Sequence, residues 1–190
     1  SSDHQFINRF ISGNAKLLNT IKNNDIHVKL TVIDSNENFV EYEYNIDANR
    51  YFYPASTVKL PIALFALEKL NENKTLSINT PFMLEDDTLK TTFKDELEKV
   101  FVLSSNEANN RFFEFTGQDY LNKKFRSKGF FNSTIFHRLS TSNSSKLDGK
   151  RVDFFTNDTI ISFQNNNKEP KKLKLKNIKK GKGYINSSGE

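Results

Sequence analysis

Ser56 and Lys59 are the residues of this chain whose types and spacing best suit covalent chemistry, and a strongly apolar run from Leu60 to Leu70 follows them. Residues three apart on a helix share a face, so the spacing predicts that Ser56 Oγ and the Lys59 ammonium meet. The start of a helix favours negative charge through its free N–H groups and its dipole, and burial lowers the pKa of a lysine. A serine beside a base is the minimal requirement for nucleophilic catalysis.

A simpler interpretation is that this short pattern arose by chance and that Ser56 is an ordinary helix N-cap. The apolar run predicts a helix buried on nearly all sides, including the positions of Leu60 and Leu64. Pro61 lacks the N–H that a continuous helix would use. We therefore expect the turn that carries Ser56 to be slightly distinct from the helix below it.

Composition limits the other classes of function. The chain has 190 residues, a net charge of +5 and no cysteine, which excludes disulfides, thiol catalysis and thiolate metal sites. No apolar run approaches the roughly 20 residues of a membrane span, and no signal peptide is present. Eighteen phenylalanines supply enough apolar volume for a core. We predict no metal and no organic cofactor, and nothing in the sequence indicates an oligomeric state.

The rest of the chain predicts a mixed α and β fold. Helical periodicity covers the first 21 residues, with a break at Gly13, and alternation predicts a β-hairpin with strands over 27–34 and 39–46. After the Ser56 helix, residues 71–87 predict a polar region rich in turns. The predicted later helices cover 91–103, 106–115 and 118–128, and the first of them carries Phe93, Leu97, Val100 and Phe101 on one face. A loop over 141–149 precedes predicted strands over 151–156, 159–164 and 171–178.

A lysine run lies in and around the last predicted strand, from Lys168 to Lys182. A basic patch of this kind can bind nucleic acid or an anionic surface. It lacks the clustered aromatic and arginine side chains that stack on bases, so we favour a solvated edge strand that its lysines protect. We therefore predict no nucleic-acid partner.

Two separated motifs give the chain a resemblance to the penicillin-recognising serine hydrolases, and most of all to class A β-lactamases. The first is Ser56-Thr57-Val58-Lys59 with its Tyr-Pro-Ala lead-in, and the second is Ser104-Ser105-Asn106 with the helix that follows. The resemblance runs from about Phe6 to Ser140, and the order and separation of the motifs make it fairly specific. It implies an α+β, β-lactamase-like fold as a single domain over 1–190, with an N-terminal helix and hairpin packed with an all-helical region.

The family implies roles for the matching residues. Ser56 would be the acylated nucleophile, with Lys59 as its base or proton relay. Ser104 would pass a proton to the leaving nitrogen, and Asn106 would bind the substrate's amide carbonyl and Lys59. Taken alone, the second motif would favour a helix cap.

The sequence departs from the family pattern in three places. Ser105 stands where the family usually has Asp. The family's Lys-Thr/Ser-Gly strand is not visible, since Lys179-Lys180-Gly181 matches it only loosely. We expect that strand, the other strands that complete the sheet and the final helix to lie beyond residue 190. Residues 134–140 resemble the start of the omega loop, but Ser140 occupies the place of the Glu that activates the deacylating water, and serine is a poor base.

His137 is the titrating side chain near Ser140, although an ordinary loop histidine is the interpretation we favour. The leading prediction is a serine hydrolase acting on a β-lactam or a peptide-like amide or ester, with slow deacylation. The alternative is a non-catalytic protein on the same scaffold that binds cell-wall peptide or a protein partner. The resemblance further implies a periplasmic, secreted or cell-envelope location.

Overall fold

The computed structural model describes residues 5–142 and 144–168. The chain divides into two compact units, Ser1–Arg50 and Tyr51–Glu190. The predicted strand over 171–178, the lysines after Lys168 and the Lys179-Lys180-Gly181 segment lie outside the described residues. No helix among the described residues is both long enough and apolar enough to cross a bilayer.

The first unit is a helix pair and a hairpin. Its helices are α1 (Phe6–Ser12) and α2 (Ala15–Asn24), and its strands are β1 (Val28–Ile33) and β2 (Phe39–Tyr44). Gly13 ends α1 and the Asn14 side chain caps α2 by accepting the Leu17 N–H, so the predicted break at Gly13 is confirmed. The strands pair antiparallel, as predicted for the hairpin.

The second unit carries both sequence motifs. A 3₁₀ turn (Ala55–Val58) leads into α3 (Lys59–Glu72), and the later helices are α4 (Phe93–Leu103), α5 (Asn106–Thr116) and α6 (Gln118–Ser127). Three antiparallel strands, β3 (Phe82–Leu84), β4 (Val152–Phe155) and β5 (Ile160–Phe163), form a small sheet in that order. The predicted α+β class, the three later helices and the strands at β4 and β5 are confirmed.

Strand β3 was not predicted. It lies inside residues 71–87, which were predicted to be polar and rich in turns. This strand has three residues, too few for alternation to be recognised, and its ends Phe82 and Leu84 are both buried. Phe82 N–H also donates to the Thr91 carbonyl, which fastens the strand to the segment before α4.

Phenylalanine rings form the centre of the second unit. Phe93 lies on its neighbours with ring centroids between 4.9 and 5.9 Å apart. The neighbouring rings are those of Phe82 in β3, Phe112 and Phe115 in α5, and Phe154 in β4. One aromatic cluster therefore joins the sheet to the helices. Helix α5 also packs on α3, which fixes the Ser56 turn relative to the second motif.

Two predictions of burial are wrong. Leu60 and Leu64 of α3 are more than half exposed, because the described part of this unit packs on only one side of that helix. Phe101 is also exposed, because the buried stripe of α4 runs through Phe93, Glu96 and Val100. Glu96 takes a core position that a hydrophobic pattern does not predict.

Candidate active site

Ser56 lies in the 3₁₀ turn at the mouth of α3 and is exposed. The turn is closed by the Thr57 N–H and hydroxyl, which both donate to the Pro54 carbonyl at 3.1 and 2.6 Å. The Lys59 N–H donates to the Ser56 carbonyl, and the α-helix begins there. The predicted distinction between this turn and the helix is confirmed.

Lys59 is buried, with 4% of its surface exposed. Its ammonium donates to two oxygens of Ser104, the backbone carbonyl and, at 2.9 Å, the hydroxyl. Burial lowers the pKa of Lys59 below the ordinary value for lysine. A lysine whose pKa is lowered loses its proton at a lower pH, and the neutral amine is the form that can act as a base.

The expected hydrogen bond between Ser56 Oγ and Lys59 Nζ is not formed. Among the described residues the Ser56 hydroxyl makes no hydrogen bond, whereas the ammonium is occupied by Ser104. The spacing predicted that Ser56 and Lys59 share a face of the helix. It could not predict that the Lys59 ammonium binds Ser104 instead of Ser56, because Ser104 is distant in sequence. The structure therefore brings Lys59 and Ser104 together.

The second motif forms the bend between α4 and α5. Ser104 ends α4 in the left-handed region with φ of 52°, and Ser105 caps α5 by accepting the Ala108 N–H at 3.2 Å. The cap interpretation therefore holds for Ser105, which stands where the family usually has Asp, while Ser104 is free to contact Lys59.

Asn106 faces the loop after α6, where its amide donates to the Ser140 hydroxyl at 2.9 Å. Its expected hydrogen bond with Lys59, in which Asn106 Oδ1 would accept from the ammonium, is not formed among the described residues. One turn further, Asn110 accepts the Leu139 N–H and donates to the Leu139 carbonyl, each at 2.8 Å. Two amides on one face of α5 thus hold the loop by its backbone and by Ser140.

Backbone strain is concentrated at the same place. Among the described residues of the second unit, the non-glycine residues with positive φ are Ala55, Ser104 and Ser140, at 47°, 52° and 49°. This conformation costs an L-residue roughly 1–2 kcal/mol. Ala55 directly precedes Ser56, Ser104 contacts Lys59, and Ser140 contacts Asn106. Strain that persists at such points is typical of functional sites.

A buried ion pair anchors the loop that carries Ser140. The Arg138 guanidinium donates to both carboxylate oxygens of Glu114, the second at 3.1 Å, and both side chains are almost fully buried. Arg138 also donates to the carbonyls of Lys146 and Asp148, and Glu114 accepts the Lys150 N–H. This pair therefore joins both ends of the loop to α5.

His137 lies beside this anchor and is half-buried. Its Nδ1 is 2.7 Å from the Arg138 carbonyl. Its ring stacks on Tyr53, with centroids 6.3 Å apart and planes 18° from parallel. The loop thus reaches the segment that leads into Ser56.

An open cavity of about 790 Å³ adjoins the site on the other side of Ser140. Its lining is mostly charged and includes Asn106, Ser140, Asp86, Arg111, Arg138 and Lys150. Solvent therefore reaches the contact between Asn106 and Ser140. Among the described residues no group of His and carboxylate side chains could hold a metal ion.

Asn110, Arg138 and Glu114 also shape the site, although they were not among the residues predicted from the sequence. Asn110 follows Asn106 by four positions, and this spacing could have placed both amides on one face of a helix. The pairing of Arg138 with Glu114 depends on the tertiary fold, and no local pattern indicates it.

The chain matches the model of the Beta-lactamase enzyme family over residues 14–172. It therefore belongs to that family, as the resemblance predicted, and is a β-lactamase-like hydrolase at the family level. Neither a curated protein nor a solved structure matches the chain.

Proposed function

We propose that this protein is a serine hydrolase of the class A β-lactamase type that forms an acyl-enzyme on Ser56. Its substrate would be a β-lactam or a peptide-like amide or ester. The observation that carries the proposal is the buried Lys59 ammonium, held by the Ser104 hydroxyl and carbonyl, three residues after an exposed serine. Family membership supports a small-molecule substrate.

In the acylation step, neutral Lys59 accepts the Ser56 proton, either directly or through the Ser104 hydroxyl. Ser56 Oγ then attacks the substrate's carbonyl carbon. When the carbon–nitrogen bond breaks, the proton passes from Lys59 through Ser104 to the leaving nitrogen. The 2.9 Å contact between Lys59 Nζ and Ser104 Oγ supports this relay, and the exposure of Ser56 supports access by substrate.

Deacylation would be the slow step. A water must lose a proton as it attacks the ester, and Ser140, at the place of the family's Glu, has no useful basicity near neutral pH. Loss of a general base typically slows a step by about 10²–10⁴-fold. We therefore expect the acyl-enzyme to accumulate.

Intact-protein mass spectrometry after mixing with a penicillin or an activated ester tests the proposal. The expected result is an adduct of one substrate acyl group that persists and that Ser56→Ala abolishes. Ser105→Gly is the matched control, because glycine is nearly as good an N-cap and the adduct should remain. Absence of both adduct and turnover would contradict the proposal, whereas rapid multiple turnover would contradict only the slow deacylation.

The replacement of the family's Glu by Ser140 also favours a second candidate function, a binding protein for cell-wall peptide or a protein partner. Such a protein would bind its ligand reversibly and without an adduct. Equal affinity in wild type and in Ser56→Ala, measured by calorimetry with a muramyl peptide as probe, would support it over the hydrolase.

We also propose a periplasmic, secreted or cell-envelope location, which is where these substrates are found. Fractionation of the native host with an antibody to the chain tests this, and signal confined to the cytoplasm would contradict it.

A further inference from the structure

We propose that His137 is the general base that removes the proton from the deacylating water. This inference rests on the proposed acyl-enzyme on Ser56. It assigns the residual deacylation to a side chain outside the family's usual position.

The first support is the state of the imidazole. A backbone carbonyl accepts and never donates, so the 2.7 Å contact with the Arg138 carbonyl requires a proton on Nδ1. In the neutral ring, Nε2 then carries the lone pair. Among the described residues no side chain or backbone N–H occupies Nε2. The nitrogen that could act as a base is therefore the one left for a water.

The second support is position. Tyr53, on which the His137 ring stacks, lies three residues before Ser56. Three residues of extended chain span at most about 10 Å, and the 3₁₀ turn shortens the path. The His137 ring therefore contacts the segment that carries Ser56, a few residues before the nucleophile.

The third support is rigidity. The carbonyl that fixes Nδ1 belongs to Arg138, whose guanidinium is buried against Glu114. Phe136 meets the imidazole edge to face, with centroids 5.1 Å apart. The ring is thus held from one edge by a hydrogen bond to an anchored backbone and from its face by Tyr53. A base must be positioned before it can act.

The charged and titrating groups around the ring are few. Tyr53 faces it from the segment before Ser56, and the adjacent Arg138 directs its charge to Glu114. Within the described residues no carboxylate contacts the ring.

The proposed step is balanced as follows. Nε2 accepts a proton from water while the water oxygen attacks the ester carbonyl carbon of acyl-Ser56. The tetrahedral intermediate collapses, the bond from carbon to Ser56 Oγ breaks, and the proton passes from Nε2 to Oγ. The products are a free carboxylic acid and the original serine and histidine.

The test follows the lifetime of the acyl adduct by mass spectrometry from about pH 5 to about pH 8. In wild type the deacylation rate should rise with pH across this range, because a general base acts only in its unprotonated form. His137→Gln should remove that rise and slow deacylation at the upper pH by about 10²-fold or more, while the rate of adduct formation stays within about two-fold.

Two further variants separate a base from a structural role. His137→Phe keeps an aromatic ring on Tyr53 but has no Nε2, so it should be as slow as His137→Gln. His137→Ala should regain deacylation when free imidazole is added, which no structural role predicts. His27→Asn, in the first unit, should keep the wild-type pH profile.

The outcomes distinguish the two proposals. An adduct whose lifetime is the same in wild type, His137→Gln and His137→Phe overturns this inference and leaves the acyl-enzyme intact. Absence of both adduct and turnover in wild type overturns both.

Discussion

Lys59 is the residue on which the proposed chemistry depends most. Its ammonium is buried and donates to two oxygens of Ser104, and burial lowers its pKa below the ordinary value for lysine. Arginine in its place would keep the charge and the contacts but could not deprotonate.

We predict that the rate of acylation rises with pH on a limb whose midpoint lies below 10.5. The folded pKa of Lys59 is lowered by burial, so the neutral amine appears at a lower pH than in a free lysine. Lys59→Arg should reduce acylation by about 10²-fold or more at every pH and remove this limb. Stopped-flow measurement with a chromogenic β-lactam checks both, and a limb that survives in Lys59→Arg would contradict the assignment.

For individual residues, the sequence predicted which side chains lie in the candidate site better than it predicted their hydrogen-bond partners. Ser56 and Lys59 were found because their spacing and apolar context are local properties. The partner of Lys59 was missed as a contact because Ser104 comes from another helix, and its left-handed backbone turns both oxygens to the ammonium. The roles of Ser56, Lys59, Ser104 and Asn106 stay predictions.

Among the elements, the loop after α6 is anchored by a buried ion pair in addition to the two amides of α5. Removing one member of such a pair leaves the other charge buried and unpaired, which typically costs about 3–5 kcal/mol. Replacing both members with apolar side chains is often far less costly.

We predict that Glu114→Gln and Arg138→Met each lower the free energy of unfolding by about 3–5 kcal/mol, and that Glu114→Met with Arg138→Met lowers it by less than either. Urea denaturation followed by circular dichroism measures all three. Additive losses in the double variant would show that the two charges do not act as a pair.

Lys69 of α3 is a half-buried cation with a structural use. Its ammonium donates to the carbonyls of Phe115 and Thr116 at the end of α5 and lies over the rings of Phe115 and Tyr120. Burial lowers the pKa of Lys69 to about 8. Burial is also the main cause that raises the pKa of Tyr120 to about 12.

The sign of the pH effect follows from these values. Between about pH 8 and pH 10 the unfolded chain binds more protons at Lys69 than the folded chain does, so stability should rise with pH. Above about pH 10, Tyr120 is ionised only in the unfolded chain and acts in the opposite direction. Urea midpoints at pH 8 and pH 10 should show a gain in wild type that Lys69→Met lacks; an equal gain in both would contradict the assignment.

The helices and strands were predicted well wherever periodicity extended over several residues. The three-residue β3 escaped because it is too short, and Phe101 was misplaced because Glu96 holds a buried position through ion pairs with Lys99 and Arg111. Ion pairs of this kind depend on the tertiary structure. Hydropathy alone therefore predicts that a glutamate such as Glu96 lies on the surface.

In the whole molecule, each unit has its own hydrophobic cluster. The larger cluster belongs to the unit with the site, and Phe93 is fully buried among aromatic rings from three other elements. The abundance of phenylalanine in the sequence indicated a core but not which rings would fill it.

We predict that Phe93→Ala lowers the free energy of unfolding by about 3–5 kcal/mol, because it removes a buried ring and leaves a cavity. Phe131→Ala is the matched control, since that ring is 71% exposed and its loss should change stability by about 0.5 kcal/mol at most. Urea denaturation compares them, and equal effects would show that this cluster does not stabilise the fold.

The hydrogen bonds that hold the loop over residues 134–150 also limit its cleavage by proteases. Trypsin can cut after Lys146 and Lys150, yet the carbonyl of Lys146 accepts from Arg138 and the N–H of Lys150 donates to Glu114. Cleavage there requires local opening, so its rate reports the free energy of releasing the loop. We predict that Glu114→Gln becomes sensitive to trypsin at these two lysines under native conditions, which makes loop release visible by gel electrophoresis without any substrate.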